Sequence, residues 1–518
     1  MKIAWFSPFY QKSAIGKFTQ AVTEILNQKV KIDLWLDHED NLLPSTVNKI
    51  FYTSQDSLKK DILELLDHYD FIIYNMGNYL PYHKNIYSVL QQKPGIVIFH
   101  DYIYHHFFLE LYYATNPDKY FELLEIYYGK KCRALFENSL KSGSIPVGFQ
   151  EAGEARASSR SGAYIEYVSS EMSAQQSQNL KSDGYKKNIW QENSILINYP
   201  LFEPLVKNNY GFITHSNWVA EKINQFIPER IQVLRLPFFI LPSVHNDSIP
   251  VRFQEAGEAR ASSRSGAYIQ YVSSERSTQQ SQSLKGDGYN TPKTKIRLLS
   301  YGHMNSTRGI ENIVELLNKN SEIAHKIQYD VIGEFGDKAY QEFLINLINS
   351  YSLQEIIHFH DYVDDAKLYQ YLKDADICIN LRYPAMESAS ASLIEQMYFG
   401  KAIMVTDTGS YSEFPTSVIN KVTPNDPMSL EKSLINLVEN IDLRNHLAQN
   451  SKNYVVTHHS PRQYADKLIL YLREIYSLLP GIKLINTVSK ELKNMGAKNF
   501  MSVIDKTSLE LNNILRES

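Results

Sequence analysis

Cysteine is almost absent from the chain: its 518 residues include only Cys132 and Cys378, which are far apart in sequence. Two cysteines cannot build a disulfide framework or a four-cysteine zinc site, so both of these classes of stapled domain are excluded. We expect two free thiols that act as small buried apolar side chains in a reducing compartment.

Long apolar runs are also missing. The N-terminus, MKIAWFSPFYQKS, has one lysine and a short apolar run, whereas a secretory signal needs roughly 7–15 consecutive apolar residues. No run approaches the roughly 20 apolar residues of a transmembrane helix. The sequence therefore predicts a protein that is folded from its first residue and cytoplasmic. It leaves open a peripheral association with the inner face of a membrane.

An excess of basic charge is the third absence. The formal net charge is -4, and charged residues make up 21% of a chain whose hydrophobic share, 43%, is ordinary for a globular protein. A protein that neutralises nucleic-acid phosphates usually carries a positive field. We therefore expect no nucleic acid among the partners.

One segment of the chain occurs twice. Residues 144–185 and 248–289 differ at only six of 42 positions. Both copies are rich in Ser, Gln, Ala, Glu and Gly, and they are separated by about sixty residues, so neither can stack on the other as solenoid repeats do. We interpret them as a duplicated insertion, disordered or loosely ordered, tolerated in surface loops. A duplicated binding module is the alternative.

Outside the repeats, short apolar strands alternate with helical stretches. This pattern is typical of α/β proteins with doubly wound parallel sheets, and it occurs twice, which predicts two Rossmann-like domains facing an interdomain cleft. A helical tail, broken near Leu479–Gly481, follows. The predicted units are an N-terminal domain at 1–243 containing the first repeat, a linker at 244–293 containing the second, a C-terminal domain at 294–460 and an extension at 461–518.

The segment Leu381–Pro415 contains the most informative pattern. Glu387 lies on a loop after a strand, and Glu395 follows in the second turn of a helix that begins near Ser390. A carboxylate can accept two hydrogen bonds from a ribose diol, and a helix N-terminus such as that at Ser390 favours a diphosphate. Gly409, after the next strand, allows the backbone to approach a ligand closely.

The spacing of these residues resembles the signature of glycosyltransferase family 4. Glu387 and Glu395 are separated by seven residues, Gly400 comes five positions later, and Thr406–Ser410 reads TDTGS. The resemblance implies a GT-B fold, in which Glu387 contacts the hydroxyls of the donor sugar and Glu395 contacts the ribose of a nucleotide diphosphate sugar.

A second loop extends the resemblance. In Ser300–Ile310, SYGHMNSTRGI, Arg308 matches the family's second diphosphate-binding position, and its planar fork suits phosphate. His303 stands where the family usually has arginine, so phosphate stabilisation depends on Arg308 and Asn305. Gly302 begins the loop and is expected in the donor site. A hydrogen-bonded loop histidine is the alternative interpretation of His303.

The N-terminal half resembles the family more loosely. Gly16, in the loop SPFYQKSAIGKF after the first strand, matches a glycine that lets the backbone approach the donor phosphate. His100 ends the strand VIFH and resembles a histidine that family members place near the donor sugar. We expect Asp101 to orient the His100 ring.

The resemblance implies a retaining transferase with catalytic residues His100, Glu387 and Arg308. The nucleotide diphosphate sugar would be a co-substrate, with no other cofactor and no metal, and the acceptor a glycan, a lipid-linked molecule or another hydroxyl compound. The expected setting is bacterial surface polysaccharide biosynthesis. A nucleotide-sugar epimerase of the same fold and a non-catalytic nucleotide-sugar-binding protein are the alternatives.

Overall fold

The structure, a computed structural model, describes residues 1–53, 60–112, 116–141, 193–207, 209–227, 233–240 and 295–494. Both copies of the repeat, 144–185 and 248–289, and the predicted linker 244–293 lie outside these residues, as does the end of the extension after Asn494.

Two parallel sheets organise the described residues. The first has seven strands in the order β3-β2-β1-β4-β5-β6-β7, and the second has six in the order β10-β9-β8-β11-β12-β13. All pairs are parallel. The strands are β1 Lys2–Phe6, β2 Lys31–Leu36, β3 Asn48–Phe51, β4 Phe71–Met76, β5 Ile96–Phe99, β6 Gly211–Thr214, β7 Val233–Arg235, β8 Ile296–Tyr301, β9 Ile327–Ile332, β10 Ile357–His360, β11 Ile377–Asn380, β12 Ala402–Thr406 and β13 Asn420–Val422.

Helices connect the strands and cover the sheets. They are α1 Ala14–Leu26, α2 Lys60–Leu66, α3 Leu80–Leu90, α4 His105–Tyr112, α5 Pro117–Tyr128, α6 Lys130–Lys141, α7 Asn193–Asn198, α8 Glu203–Val206, α9 Asn217–Asn224, α10 Ile310–Lys319, α11 Ser321–Lys326, α12 Lys338–Ser350, α13 Asp365–Asp374, α14 Ala391–Tyr398, α15 Pro427–Glu439, α16 Ile441–His458 and α17 Pro461–Asn494.

Each sheet has a topological switch point. In the first, the chain runs outward from β1 to β3 and then returns to place β4 on the other side of β1. In the second, it runs from β8 to β10 and returns to place β11 beside β8. Loops on either side of such a point diverge and leave a crevice at the carboxyl ends of the strands. The loops after β1, β4, β8 and β11 therefore border the expected ligand sites.

The cores explain why the central strands are so apolar. Every residue of β4 and β5 is buried, because helices cover both faces of the sheet. One large core joins the first sheet, through Phe18 of α1, to Tyr464 and Leu468 of α17, and it also includes residues of the second sheet. Both sheets belong to one compact unit.

The C-terminal helices return to the first sheet. The hydroxyl of Tyr471 accepts a hydrogen bond from the backbone N–H of Phe212 in β6, at 3.0 Å. The predicted break near Leu479–Gly481 is wrong, because α17 continues through Pro480 to Asn494. A helical proline costs one backbone hydrogen bond, and here the two residues directly before it, Leu478 and Leu479, are buried. Burial of these side chains offsets the loss.

The sequence pattern over residues 118–140 predicts a single helix, and this prediction is wrong. Gly129, with φ +83°, divides it into α5 and α6.

The same region holds a buried carboxyl that the sequence does not reveal. Glu203, at the start of α8, accepts the hydroxyl of Tyr128, which lies 2.6 and 2.7 Å from its two oxygens. Burial raises the pKa of Glu203 to about 7, although the Tyr128 hydrogen bond opposes the shift.

Candidate active site

The loops after β5 and β11 meet through their backbones. The N–H of Tyr102 donates to the carbonyl of Met386 at 2.7 Å, and the N–H of Ser388 donates to the carbonyl of His100 at 2.9 Å. Between them, Asp101 and Glu387 form an isolated antiparallel bridge. The carboxyl edge of the first sheet therefore contacts the loop that carries the first of the two predicted glutamates.

Glu387 is held by two side chains that the sequence analysis missed. Its Oε1 atom accepts Nε of Arg382 at 3.0 Å and the hydroxyl of Tyr411 at 2.8 Å. Burial alone would raise the pKa of Glu387, but the Arg382 charge and these hydrogen bonds together lower it. The carboxylate is thus ionised at neutral pH. The signal was weak, since Arg382 merely follows a strand and Tyr411 lies two positions after Gly409.

Glu395 lies in α14, where the sequence predicted it. Ser390 begins this helix as its N-cap, with its hydroxyl accepting the N–H of Leu393 at 3.3 Å. Glu395 is buried and accepts the hydroxyl of Tyr301 at 2.8 Å. Burial raises its pKa, and the nearby charge of Lys17, from α1 of the other lobe, opposes the shift.

Arg308 is buried beneath the loop after β8. Its Nη1 and Nε atoms donate to the carbonyls of Tyr301 and His303 at 2.9 and 3.0 Å. Burial, followed by the repulsion of Arg382, lowers its pKa to about 9. Gly302 has φ +113°, and a Cβ atom there would lie 2.5 Å from Nη2 of Arg308. This positive φ favours glycine at 302, and a larger residue there would have to displace the end of the Arg308 side chain.

His303 and Asn305 shape the same loop. Burial, and then the charges of Arg308 and Arg382, lower the pKa of His303 to about 4, so its ring is neutral. The side-chain oxygen of Asn305 accepts the N–H and the hydroxyl of Thr307 at 3.2 and 2.6 Å, and so caps the turn that carries Arg308. A direct contact of either residue with a donor stays a prediction.

The two other predicted glycines lie where a side chain cannot fit. A Cβ atom on Gly16 would lie 2.9 Å from the carbonyl oxygens of Pro8 and Tyr10. Gly409 has φ +54°, and its Cβ atom would lie 2.6 Å from Cβ of Ala385. Both constraints are steric and arise within the protein, so donor contacts at these glycines remain predictions.

His100 is buried at the end of β5, but Asp101 does not orient it. Nε2 of His100 lies 3.0 Å from Oδ1 of Asn75, and the Asn75 amide donates to the carbonyl of Phe6 at 3.0 Å. Because Oδ1 of Asn75 can only accept, Nε2 carries the proton. Burial, followed by the charges of neighbouring histidines, lowers the pKa of His100, so the ring is neutral.

The carboxyl of Asp101 instead accepts the backbone N–H of Asn78, at 2.8 Å. Burial, and then the charge of Glu387, raise the pKa of Asp101 to about 7. The expectation that Asp101 orients the His100 ring fails because its side chain turns to the loop after β4, toward Gly77 and Asn78.

A narrow recess, partly open to solvent, lies beside Ser390. His215, at the end of β6, lines it; its Nδ1 atom donates to the carbonyl of Leu236 at 3.1 Å, which leaves Nε2 as an acceptor. Within the described residues this Nε2 atom has no hydrogen-bond partner. The other lining residues are Ser216, Arg235, Phe238, Ser388, Ala389, Ile394, Ser410, Glu413, Phe414, Tyr454 and His459.

Two kinds of site are not found. No group of three or more His, Cys, Asp or Glu side chains in the described ranges could hold a metal ion. Among the helices in those ranges, none is both long and apolar enough to cross a membrane.

The fold is that of GT-B glycosyltransferases. The described architecture is similar to sucrose-phosphate synthase from Thermosynechococcus elongatus, with a TM-score of 0.52 at 13% identity over 92% of this chain and 99% of that one. It is equally similar to Anabaena HepE in complex with UDP, with a TM-score of 0.52 at 10% identity over 91% of this chain and 100% of that one. The GT-B fold predicted from the sequence is confirmed.

The second half of the chain matches a known protein family. Residues 284–454 match the family model of glycosyl transferases group 1. An uncharacterized glycosyltransferase of Methanocaldococcus jannaschii is 30% identical over 166 residues, which are 32% of this chain. The match spans 41% of that relative's length. The segment matched by the family model, 284–454, contains Arg308, Glu387, Ser390, Glu395 and Gly409.

Proposed function

We propose that this protein is a retaining glycosyltransferase that transfers a sugar from a nucleotide diphosphate sugar to a hydroxyl acceptor. One observation carries the proposal: Glu387 and Glu395 flank the N-terminus of α14 at the switch point of the second sheet, and both lie against residues of the first lobe. The backbone of Glu387 forms a β-bridge with that of Asp101. The charge of Lys17 lowers the pKa of Glu395 against the effect of burial. A donor held there would lie between the two lobes.

The carboxylate of Glu395 would bind the ribose. It is preorganised by the Tyr301 hydroxyl, which leaves lone pairs for the ribose diol. The diphosphate would lie at the N-terminus of α14, where the unpaired N–H groups and the helix dipole favour negative charge. Arg308 supplies a buried positive charge nearby, and it stabilises the leaving phosphate as its charge grows.

Glu387 would bind the hydroxyls of the donor sugar. Arg382 and Tyr411 fix the position of its carboxylate and keep it ionised. The neutral ring of His100, whose Nε2–H is committed to Asn75, presents Nδ1 as an acceptor for a sugar hydroxyl. Such fixed partners hold the reacting carbon in place, which is the main contribution of positioning to catalysis.

The transfer itself needs no nucleophile from the protein. The acceptor oxygen forms its bond to the anomeric carbon on the face from which the β-phosphate departs, and the bond from that carbon to the phosphate oxygen breaks. The departing phosphate oxygen takes the proton of the acceptor hydroxyl. The configuration at the anomeric carbon is retained, and the closed lobes exclude water that would hydrolyse the donor.

Finer assignments follow from the same proposal. We propose that the protein belongs to family 4, whose signature the spacing of Glu387 and Glu395 resembles, and that it is a hexosyltransferase that uses no metal. We propose a cytoplasmic enzyme of bacterial surface polysaccharide biosynthesis, bound peripherally at the inner face of the membrane, with a glycan or lipid-linked acceptor. The match of residues 284–454 to glycosyl transferases group 1, a segment that contains both glutamates, supports the glycosyltransferase assignment.

A two-stage assay tests the function. Thermal shift against UDP-, GDP-, ADP- and dTDP-sugars first identifies the donor, and a ligand at 100 times its Kd should add about 2.7 kcal/mol of stability. The donor is then incubated alone and with membrane extracts as acceptor. New glycan in the second incubation is the expected result. A new isomer from the donor alone would identify an epimerase, and binding without turnover would identify a binding protein.

A further inference from the structure

Four aromatic rings form a platform at the carboxyl edge of the first sheet. Tyr10 lies in the loop after β1, His38 follows β2, and Tyr79 and Tyr82 lie at the start of α3, after β4. These strands are neighbours in the order β2-β1-β4. We call the four residues the aromatic platform. None of the assignments made above for the donor uses it.

The rings of the platform are in close contact. Tyr10 stacks on His38 with 3.4 Å between centroids and on Tyr82 with 4.4 Å, at interplanar angles of 6° and 17°. Tyr79 stands edge-on to Tyr82, with centroids 4.9 Å apart. Tyr10 therefore lies between His38 and Tyr82, Tyr82 and His38 are partly exposed, and Tyr79 is the most exposed ring of the four.

Packing of the protein interior does not account for the platform. Its tyrosines are not members of the three hydrophobic cores, and Tyr79 is 51% exposed. Side chains of this size usually contribute their area to a core or to a ligand. Here they stand at the strand ends where open α/β sheets bind ligands.

The platform is also rigid before any ligand arrives. Nδ1 of His38 lies 2.8 Å from Oδ1 of Asp37, whose Oδ2 accepts the amide of Asn85 from α3 at 3.0 Å. The stack is thereby tied to two secondary-structure elements. A preorganised tyrosine surface loses little conformational freedom on binding, which favours affinity.

The platform continues into the candidate active site. Tyr79 directly follows Asn78, whose backbone N–H donates to the carboxyl of Asp101. The backbone of Asp101 in turn forms a β-bridge with Glu387. Two positions after Tyr10, Lys12 lies over the ring of Tyr362 from the second lobe, 4.4 Å from the centroid. A molecule on the platform would therefore border the same cleft as the donor.

We propose that the aromatic platform binds a sugar ring of the acceptor, so that the acceptor is a saccharide. This inference rests on the proposed function. One face of a pyranose carries several C–H groups with partial positive charge, which suit the negative face of an aromatic ring. The phenol hydroxyls at the ring edges can bind the sugar hydroxyls at the same time. An acyl chain would gain nothing from these polar edges.

The test is saccharide binding by the full chain and its variants. Wild type is applied to an array of immobilised oligosaccharides, and the Kd of each saccharide bound is measured in solution. Tyr79→Ala and Tyr82→Ala should weaken that binding about tenfold, as expected for loss of one aromatic contact. Tyr79→Phe and Tyr82→Phe keep the ring face but lose the hydroxyl, so they should weaken binding less than the alanine variants do. Tyr476→Ala, an equally exposed tyrosine on α17, is the matched control.

Binding of UDP and GDP, measured by thermal shift on every variant, separates the two proposals and shows that each variant is folded. Unchanged saccharide affinity in both alanine variants, or no saccharide bound by wild type that binds a nucleotide, overturns the platform. Ring-dependent saccharide binding by a protein that binds no nucleotide overturns the donor site and leaves the platform standing. Weaker binding of vesicles but not of saccharides by the alanine variants assigns the platform to lipid and overturns the inference.

Discussion

Replacement of Glu395 by glutamine tests the donor site most directly. Glutamine keeps an oxygen that can accept the Tyr301 hydroxyl, so the protein without ligand should remain folded with little change in stability. The amide nitrogen, however, cannot accept a hydrogen bond from a ribose hydroxyl. The variant therefore removes one charge-assisted hydrogen bond to the nucleotide and weakens the other.

The expected effect follows from the strength of such bonds. A hydrogen bond to a charged group contributes roughly 1.5–3 kcal/mol, so the nucleotide should bind at least about tenfold more weakly. At a concentration of 100 times the wild-type Kd, the ligand stabilises wild type by about 2.7 kcal/mol and the variant by about 1.4 kcal/mol. Thermal shift and isothermal titration calorimetry with the best nucleoside diphosphate both measure this difference.

The pH dependence of nucleotide affinity gives an independent check on the same carboxylate. The ionised form binds the ribose, and burial raises the pKa of Glu395 above its usual 4.5. Wild-type affinity should thus fall as the pH decreases through that raised pKa, whereas the Glu395→Gln variant should show a flatter profile. Glu439→Gln, a surface substitution on α15, is the control. Equal ligand-induced stabilisation of wild type and Glu395→Gln would refute the assignment.

Three further substitutions probe neighbouring features. Gly302→Ala should displace Arg308 and strain a residue at φ +113°, which should lower the free energy of unfolding by about 1–3 kcal/mol in urea denaturation. It should also weaken nucleotide binding. An unchanged free energy of unfolding would contradict the packing argument. Asn75→Ala should free the His100 ring and lower kcat for transfer while the affinity for nucleotide stays constant; a loss of nucleotide affinity instead would contradict this division of roles. For Glu203, the folded-state pKa of about 7 exceeds the usual 4.5, so its contribution to stability is full below pH 4.5 and is lost as the pH rises through 7. Glu203→Gln should consequently gain up to about 3 kcal/mol over wild type at pH 8.5 and much less at pH 5.5, and a gain independent of pH would show that the carboxyl does not titrate in this range.

The sequence predicted those parts of the fold that depend on local patterns. Buried parallel strands such as Ile96–Phe99 are wholly apolar, and the helix at Ser390 begins with a hydroxyl residue, so both were recognised. Strand β3, Asn48–Phe51, was missed because it is short and its residues are at least partly exposed. Only its pairing with β2 makes it a strand.

Contacts between distant segments account for the errors at the candidate site. The interpretation of Asp101 relied on its adjacency to His100, but Asn75 comes from a neighbouring strand, 25 residues earlier. Tyr411 reaches Glu387 from the loop after β12, 24 residues later in the chain. No spacing in the sequence indicates such meetings, since they depend on which strands are neighbours in the sheet.

The return of α17 to the first sheet affects how the protein is made. Phe18 of α1 stacks edge-on against Tyr464, with ring centroids 5.1 Å apart, and Tyr471 completes hydrogen bonds at the edge of β6. During synthesis, the first lobe emerges more than two hundred residues before these partners do. We expect the nascent first lobe to expose this apolar face until the second lobe and α17 have been translated. The first lobe therefore completes its packing only at the end of synthesis.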